Sequence, residues 1–379
     1  METMSFSLPT NIIIGVGVLN KLGSEAAKYG KKAIIVTYPD IRRAGILDKV
    51  IADLTANGVQ SVVFEKVQSN PRSSTIDKGA AFAREQKIDL IIGLGGGSAM
   101  DSAKGIAAAV NGTVPVWDYV EGKAKINLPL LPIIQVPTMA GTGSEINAGS
   151  VITNWETHIK SPLYTALAKV AIIDPEITFT VPLSQIKAGG FDVFTHVAEQ
   201  YITDPAPEPL TDGIRETIMR IVVQNLPKVI AKPDDIQARS RMTWASTMAM
   251  SYLSRLGGGG GSMTCHSIEH ALSGYYDVTH GAGLAALFPA WMKYHAPYRQ
   301  ERIKLLGKNV FGKKDGIAAV EEWLQSLGFR IKLGDIGCEL ERREEIAELV
   351  LKSSPPIMLA GAAVPIGKEA ITKIYCESF

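Results

Sequence analysis

The amino-acid sequence predicts an α/β domain followed by an all-α domain. Its 379 residues exceed what one hydrophobic core usually supports. The first half alternates short apolar runs with segments of helical periodicity, whereas β-rich runs become scarce after Pro182 and long amphipathic patterns dominate. We therefore place a domain boundary near Pro182, which divides the chain into residues 1–182 and residues 183–379.

The first domain contains five apolar runs rich in β-branched residues, which indicate strands at residues 33–37, 59–64, 89–94, 130–136 and 170–173. Apolar residues repeat at helical spacing between several of these runs, at residues 44–58, 75–86 and 98–110. Strands that alternate with helices of this length predict a parallel sheet with helices on both faces.

The second domain shows helical patterns at residues 184–201, 210–229 and 236–256, and two histidine-bearing segments follow. A run of five glycines, residues 257–261, precedes those segments. Because glycine has no side chain, the run is either a flexible loop or a place where the backbone closely approaches another element. Both interpretations stay open.

The charge balance excludes several classes of partner. The chain has 39 basic and 38 acidic residues and a formal net charge of +1, so we expect no binding to nucleic acid or to a membrane surface. The wide spacing of Cys265, Cys338 and Cys376 does not indicate a disulfide framework. The N-terminus lacks signal-peptide features and no apolar run reaches the roughly 18–20 residues of a membrane span, so we expect a cytoplasmic protein.

A glycine-rich segment, GLGGGSAMDSAKG, follows the strand predicted at residues 89–94 and leads into a helix. Gly93-x-Gly95-x-x-Ser98 resembles the G-x-G-x-x-G pattern but ends in serine, which can cap the helix. With Gly96 and Gly97 between them, backbone N–H groups can approach phosphate oxygens at the positive end of the helix dipole. We favour a phosphate-binding turn of a Rossmann-like nucleotide-binding domain over a purely structural turn.

A second loop, PTMAGTGSE at residues 137–145, follows another predicted strand. Thr138, Thr142 and Ser144 offer hydroxyl groups for a pyrophosphate, a ribose or a nicotinamide carboxamide. The alternative interpretation is an ordinary capped turn.

Potential metal ligands occur in a regular spacing. Asp192 and His196 are four residues apart in a helical pattern, which places both on one helix face, and His266 and His280 follow in the segment CHSIEHALSGYYDVTHG. One carboxylate and three imidazoles suit a divalent ion such as ferrous iron or zinc. Cys265 is a further possible ligand, although a small buried cysteine is the commoner case. The alternative is that each histidine is a hydrogen-bonded core or surface residue.

Together, the segments GLGGGSAMDSAKGIA, PTMAGTGSE, AIIDPEITFTVP, GGFDVFTHVAEQYIT and CHSIEHALSGYYDVTHGAGLA resemble the iron-dependent (group III) alcohol dehydrogenase family. The resemblance extends from about residue 8 to beyond residue 300, and it is greatest to the butanol dehydrogenase branch. It implies a dehydroquinate synthase-like superfold: a Rossmann-like nucleotide-binding domain and a helical metal-binding domain, with cofactor and metal in a cleft between them. It also implies a homo-oligomer, specifically a dimer.

Carried over residue by residue, the resemblance implies that Asp192, His196, His266 and His280 bind the metal. The family's additional active-site histidine corresponds to His270, which we expect to relay a proton because a neutral imidazole titrates near working pH. His158 and His295 lie outside these clusters and are interpreted as structural.

The motifs and the resemblance predict a cofactor-binding set of Tyr38, Asp40, Gly95, Gly96, Gly97, Ser98, Asp101, Thr138, Thr142, Ser144 and Lys160. Within this set, Gly95 to Ser98 and Asp101 are expected at the pyrophosphate and ribose, and Thr138 and Thr142 at the nicotinamide. Lys160 matches a lysine that lies near the cofactor ribose in relatives.

The sequence departs from the family pattern where NAD-preferring relatives carry an Asp for the adenosine ribose, since Tyr38 stands there. Arg42 and Arg43 could bind a 2′-phosphate, while Asp40 would repel it or take over the ribose contact. We infer an NAD(P) cofactor, and this segment favours NADP.

These features predict hydride transfer between NAD(P) and a small alcohol or aldehyde of modest polarity, with the metal polarising the substrate oxygen. Alternatives are a glycerol dehydrogenase, a dehydroquinate synthase-like enzyme on the same fold, or a non-catalytic nucleotide-binding protein. The third histidine and the few basic residues between 183 and 300 argue against the synthase. Side chains that could line the substrate pocket are Phe191, Phe194, Leu256, Met263, Tyr275 and Tyr276.

Overall fold

A computed structural model describes residues 6–127, 129–256, 260–354, 359, 364 and 366–379. The described chain divides into one unit of residues 8–181 and a second unit that includes residues 182–379. Within the described ranges, no helix is both long enough and apolar enough to cross a membrane.

The first unit is built on a six-stranded parallel sheet, whose strands are β1 Asn11–Ile14, β2 Lys32–Val36, β3 Gln60–Phe64, β4 Leu90–Gly95, β5 Ile133–Pro137 and β8 Val170–Ile173. Their order in the sheet is β1-β8-β5-β4-β2-β3. A separate antiparallel pair consists of β6 Gly149–Asn154 and β7 Ile159–Tyr164.

The helices of this unit are α1 Leu22–Ala26, α2 Ile46–Ala56, α3 Ser73–Glu85, α4 Gly97–Ala109 and α5 Val116–Val120. They follow the strands in the alternating order that the sequence predicts. The central strand β4 is buried along its whole length, as expected for a parallel strand covered on both faces. The α/β fold class is confirmed.

The strand order reverses between β2 and β4. Strand β3 lies on one side of β2, whereas β4 and then β5 lie on the other. The carboxyl ends of strands at such a reversal form the usual ligand-binding crevice of an open α/β sheet. Here these ends carry Tyr38, Gly95 and Thr138.

The second unit is helical in its described residues. Its helices are α6 Leu183–Thr203, α7 Pro209–Ala231, α8 Ile236–Ala249, α9 Thr264–Tyr276, α10 His280–Leu306, α11 Gly316–Ser326, α12 Arg343–Ser353 and α13 Lys368–Glu377. The helix predicted at residues 236–256 is wrong in its length. It ends at Ala249 because Met250 leaves the helical conformation, and a short 3₁₀ helix, Tyr252–Arg255, follows.

An aromatic cluster fills part of the core of the second unit. Phe191 and Phe194 are fully buried, with ring centroids 5.9 and 6.1 Å from that of Phe288, and both pack against Trp323. These two phenylalanines, considered above for the substrate pocket, therefore belong to the core. Their packing fixes α6, the helix that carries the first two potential metal ligands.

Candidate active site

Three helices bring the four potential metal ligands together. Helix α6 places Asp192 and His196 one turn apart, α9 carries His266 in its first turn, and α10 begins at His280. The Oδ1 atom of Asp192 lies 3.4 Å from His196 Nε2, 3.4 Å from His266 Nε2 and 3.6 Å from His280 Nε2. We refer to these four side chains as the ligand cluster.

The ligand cluster fits a divalent metal ion. At a tetrahedral site with metal–ligand bonds of about 2.1 Å, neighbouring ligand atoms lie about 3.4 Å apart. Asp192 Oδ1 and His266 Nε2 are buried, and neither has a hydrogen-bond partner among the described residues. A buried polar atom without a partner is costly, and a bound cation would remove that cost for both atoms.

Two glutamates that sequence reasoning missed lie behind the ligand cluster. Glu199 Oε1 is hydrogen-bonded to His266 Nδ1, and Glu269 Oε2 is hydrogen-bonded to His280 Nδ1. Both glutamate side chains have zero exposure. A signal existed in the sequence, because each glutamate stands three residues after a ligand, in HVAE and HSIE.

The predicted phosphate-binding turn joins β4 to α4. Gly95 has φ +153°, and a Cβ there would lie 2.7 Å from the Cβ of Ala99 and 3.0 Å from a ring carbon of Tyr38. A Cβ at Gly97 would lie 2.4 Å from the methyl group of Thr142. Glycine is therefore required at both positions, because neighbouring loops approach this backbone closely. Ser98 follows in the first turn of α4.

Asp101 and Ser144, both in the first unit, are hydrogen-bonded to each other. The Ser144 hydroxyl donates to Asp101 Oδ1 at 2.5 Å, and the Val151 backbone N–H donates to Oδ2 at 2.9 Å. The Lys104 ammonium lies 3.9 Å from Asp101 Oδ1. Burial raises the pKa of Asp101, against the opposing effect of Lys104. In this structure Asp101 thus supports the PTMAGTGSE loop.

Lys160, on β7, is buried and donates to Asn70 Oδ1 at 2.9 Å. Asn70 has φ +50° and directly precedes Pro71, a combination that costs free energy. Sequence reasoning missed Asn70. Its backbone conformation is visible only in the structure.

Comparisons with known proteins show the family to which the chain belongs. Residues 9–175 match the family model for iron-containing alcohol dehydrogenase, and residues 186–379 match that for the Fe-containing alcohol dehydrogenase family, C-terminal. The chain is 35% identical to NADH-dependent butanol dehydrogenase A of Clostridium acetobutylicum, with 100% of both chains covered. It is 37% identical to a probable NADH-dependent butanol dehydrogenase 1 of Bacillus subtilis, over 92% of this chain and 93% of that protein.

A solved structure shows the same fold. The crystal structure of NADH-dependent butanol dehydrogenase A from Thermotoga maritima has a TM-score of 0.93 and 33% identity, and covers 99% of this chain and 98% of its own. The chain belongs to the iron-containing alcohol dehydrogenase family. It is therefore a metal-dependent oxidoreductase that interconverts alcohols and aldehydes with a nicotinamide cofactor, and the resemblance drawn from its motifs is confirmed.

Burial and neighbouring charges act differently on the members of the ligand cluster in this dehydrogenase. Burial alone would raise the pKa of Asp192, but the surrounding imidazoles, above all His196, hold it well below its usual range. Burial lowers the pKa of His196 to about 3. Burial would also lower the pKa of His266, but Glu199 and Asp192 raise it to about 10. Asp192 is thus an anion that faces the Nε2 atoms, as a cation site requires.

His270 lies beside the ligand cluster, one turn after His266 on α9. Its ring centroid is 5.5 Å from that of His280. The His280 side chain is 21% exposed, whereas the side chains of Asp192, His196 and His266 are at most 6% exposed. His270 therefore adjoins the most accessible ligand, a suitable place for a proton relay.

A backbone hydrogen bond sets the position of Cys265. Its N–H donates to Glu199 Oε2 at 2.7 Å. Burial raises the pKa of its thiol, and only the thiolate is an effective metal ligand. The structure therefore gives no support to Cys265 as a fifth ligand.

Of the glycine run, residues 257–259 lie outside the described residues. Gly261 has φ +62°, and a Cβ there would lie 2.5 Å from the carbonyl oxygen of Gln200 on α6. Gln200 Nε2 in turn donates to the carbonyl oxygen of His196 at 2.7 Å. At Gly261, close backbone approach to the metal-ligand helix is therefore the better interpretation.

Tyr38 lies at the end of β2. Its hydroxyl oxygen is 3.5 Å from Thr138 Oγ1, and its ring borders Gly95. The Thr138 N–H donates to the carbonyl oxygen of Gly95 at 3.0 Å. The structure thus gathers Tyr38 and Thr138 around the glycine turn.

The two arginines considered for a 2′-phosphate both pair with carboxylates. Arg42 Nε donates to Glu65 Oε2 at 2.8 Å, and Arg43 Nη1 lies 3.3 Å from Asp40 Oδ1. Both pairs are exposed, so their free energies are small and a ligand could compete for either arginine.

Proposed function

We propose that the ligand cluster binds one ferrous ion and that this enzyme reduces a small aldehyde to the alcohol, or performs the reverse reaction, with NAD(H). The observation that carries the proposal is the convergence of three imidazole Nε2 atoms on Asp192 Oδ1, within 3.4 to 3.6 Å. A bound divalent ion would act as a Lewis acid on the substrate oxygen.

The other residues bind, orient and transfer protons. The backbone N–H groups of Gly96, Gly97 and Ser98 would bind the cofactor pyrophosphate at the start of α4. Thr138 and Thr142 would hold the nicotinamide end, and the bound cofactor would supply or accept the hydride. His270 would exchange the substrate proton with solvent, since it adjoins His280, the most accessible member of the ligand cluster.

Asp101 and Lys160 complete the cofactor site. We assign Asp101 with Ser144 to shaping the PTMAGTGSE loop, on the basis of their mutual hydrogen bond. We assign Lys160 to the cofactor ribose; the support is that Asn70 orients its ammonium group.

The choice of iron over zinc rests on the family. The ligand set suits either ion, and the usual affinity order of divalent metals favours zinc. Both matching family models describe iron-containing enzymes, so we assign ferrous iron. Elemental analysis after anaerobic purification tests this, with about one iron per chain expected; stoichiometric zinc with full turnover would replace iron in the assignment.

For the cofactor we propose NAD(H), in contrast to the NADP that the segment around Tyr38 favours. Arg42 and Arg43 already face Glu65 and Asp40, which reduces the positive potential available to a 2′-phosphate. The three butanol dehydrogenases compared above are named as NADH-dependent. The ratio of kcat/KM for NADH and NADPH with one aldehyde decides the matter, and a tenfold preference for NADPH would reverse the choice.

For the substrate we propose a short aldehyde of modest polarity, with butanal as the reference compound. The support is the similarity to butanol dehydrogenases over the whole chain. Values of kcat/KM for butanal, lactaldehyde and succinic semialdehyde with NADH, and for glycerol with NAD⁺, test the class. Butanal should give the highest kcat/KM, and a clear preference for the carboxylate-bearing semialdehyde would contradict the proposal.

We also propose a homodimer, on the basis of the family resemblance. Light scattering coupled to size-exclusion chromatography measures the mass directly. A dimer should give twice the 40.7 kDa of one chain.

The metal requirement is the decisive test of the function. Enzyme stripped with a chelator and shown by elemental analysis to be metal-free should not oxidise NADH with butanal, and added Fe²⁺ should restore turnover. Full turnover of the metal-free enzyme would refute the proposed function.

A further inference from the structure

We propose that Glu199 and Glu269 are positioning residues of the metal centre: each fixes one ligand imidazole in the tautomer that directs Nε2 into the ligand cluster, and each strengthens that imidazole as a ligand. The inference rests on the metal site proposed above. It concerns two fully buried carboxylates, neither of which belongs to the ligand cluster itself.

Glu199 is fixed at both carboxylate oxygens. Oε1 is hydrogen-bonded to His266 Nδ1, and Oε2 accepts from the backbone N–H of Cys265 at 2.7 Å. Cys265 lies in the first turn of α9, where backbone N–H groups have no partner within the helix. Glu199 therefore connects α6 to the start of α9 and sets the orientation of the His266 ring.

Glu269 holds His280 in the same way from α9. Oε2 is hydrogen-bonded to His280 Nδ1, and Oε1 accepts from the Ser273 hydroxyl at 2.5 Å. Room for this side chain depends on Gly283 of α10, because a Cβ there would lie 2.8 Å from the Glu269 Cγ atom. Glu269 therefore fixes the ring of the first residue of α10.

The chemistry of each carboxylate–imidazole pair determines which ring nitrogen of the histidine carries a proton. A carboxylate only accepts hydrogen bonds, so the imidazole must carry a proton on Nδ1, and Nε2 is then the nitrogen that can bind the metal, which would displace any proton held there. A carboxylate behind a histidine ligand also raises the ligand's basicity. His196 differs from the other two histidines, because its buried Nδ1 has no hydrogen-bond partner in the part of the chain described.

The cost of burial supports a role beyond packing. Transfer of an ionised carboxylate from water to the protein interior costs several kcal/mol of free energy unless partners compensate. The imidazole N–H groups compensate partly, and a divalent ion on the far side of each ring completes the compensation. Two such arrangements in one ligand cluster are best explained by metal binding.

Glu269→Gln is the cleaner of the two test variants. The glutamine oxygen can still accept from His280 Nδ1, and its NH₂ group can donate to the Ser273 hydroxyl, which then donates to the carbonyl oxygen of Val278, now 3.3 Å away. The hydrogen bonds survive and the charge is lost. Glu199→Gln cannot keep both contacts, because one amide oxygen cannot replace two carboxylate oxygens that face two N–H donors.

The measurement is metal affinity of the full-length apoenzyme, by competition for Co²⁺ and Zn²⁺ with a chromophoric chelator. Glu269→Gln should weaken binding by about 10- to 100-fold, the usual effect of losing such a partner. Glu199→Gln should weaken it at least as much. The d–d absorption spectrum of the Co²⁺-loaded protein should also shift in each variant, which a purely structural role would not produce.

Asp204→Asn is the matched control. Asp204 is a fully buried carboxylate at the end of α6 that bonds to Arg215 at 2.7 Å. Loss of its negative charge should lower the free energy of unfolding while leaving the Co²⁺ spectrum unchanged. Thermal unfolding of each apoenzyme shows whether the variant folds. If Glu199→Gln fails to fold, Glu269→Gln alone tests the inference.

The outcomes separate the inference from the function. If wild-type enzyme binds one metal ion and His280→Ala abolishes tight binding, while Glu269→Gln keeps both wild-type affinity and the wild-type Co²⁺ spectrum, the inference is wrong and the metal site stands. If the wild-type apoenzyme binds no metal ion, the proposed site is wrong and the inference falls with it.

Discussion

The turn between β4 and α4 is formed by the backbone, whereas the ligand cluster is formed by side chains. The turn is one continuous segment whose function depends on backbone conformation and on missing side chains at Gly95 and Gly97. The ligand cluster takes side chains from three helices that are distant in the sequence, and its geometry exists only when those helices pack. Local conformation determines the first site, and long-range packing determines the second.

The two sites should therefore respond differently to substitution. At the turn, adding atoms should weaken cofactor binding. In the ligand cluster, removing a side chain should abolish chemistry while the cofactor still binds, because the described ligands all lie in the second unit.

The largest expected effect is that of His266→Ala. Loss of one of three imidazoles, together with its bond to Glu199, should lower kcat by about three orders of magnitude, equivalent to several kcal/mol of lost electrostatic stabilisation. NADH affinity, measured by fluorescence titration, should stay within about twofold of wild type, which is the internal control. Turnover within tenfold of wild type would place the metal elsewhere.

A second prediction concerns acid sensitivity of the helical unit. His295 is buried, and burial lowers its pKa to about 4. Because this is below the unfolded value of about 6.5, the folded state binds fewer protons, so the stabilisation is complete above pH 6.5 and is lost as pH falls toward 4. The full stabilisation that is lost when His295 is protonated is about 3 kcal/mol of unfolding free energy. The difference in unfolding free energy between wild type and His295→Gln should shrink as pH falls from 7 to 4.5, and a pH-independent difference would contradict the account.

At the turn, Gly96→Val should raise the KM for the cofactor at least tenfold, as a side chain would occupy the space of the pyrophosphate. The fold should tolerate the change, because the nearest atom to the new Cβ is the flexible Met139 sulfur, 3.0 Å away. Gly213→Val is the matched control, since nothing lies within 4 Å of a Cβ there. Unchanged cofactor affinity in Gly96→Val would remove the turn from the site.

The smallest effect should come from Arg42→Ala. If the enzyme prefers NAD(H), the loss of an exposed pair with Glu65 should change kcat/KM for NADH by no more than about threefold. A loss of tenfold or more with NADPH alone would show that Arg42 does bind the 2′-phosphate when that cofactor is offered.

The sequence predicted the fold because its signals are local. Apolar runs such as that of β4 and the helix periodicity of α2 and α6 appear at nearly the predicted positions. Strand β1 was missed; it lies at the edge of the sheet and pairs only with β8. The β6–β7 pair, which lies outside the main sheet, was also missed. The end of α8 was missed because residues 250–256 keep an apolar pattern after the helical dihedral angles stop at Met250.

The supporting residues of both sites depend on contacts that the sequence does not display. The spacing of Glu199 and Glu269 after a histidine is a weak signal, and only packing shows that they bond to His266 and His280. Asn70 becomes relevant only because it bonds to Lys160, ninety positions along the chain. Motifs identified the residues that we propose act through their own chemistry, whereas the partners of those that we propose act through another side chain required the structure.

The central claim is that one metal ion lies among Asp192, His196, His266 and His280. Anomalous diffraction at the iron edge, from crystals grown anaerobically with Fe²⁺, tests it most directly. The account predicts one strong peak per chain, about 2.0–2.3 Å from the Asp192 carboxylate and the three Nε2 atoms. An active, iron-loaded enzyme whose only anomalous peak lies away from these four side chains would contradict it.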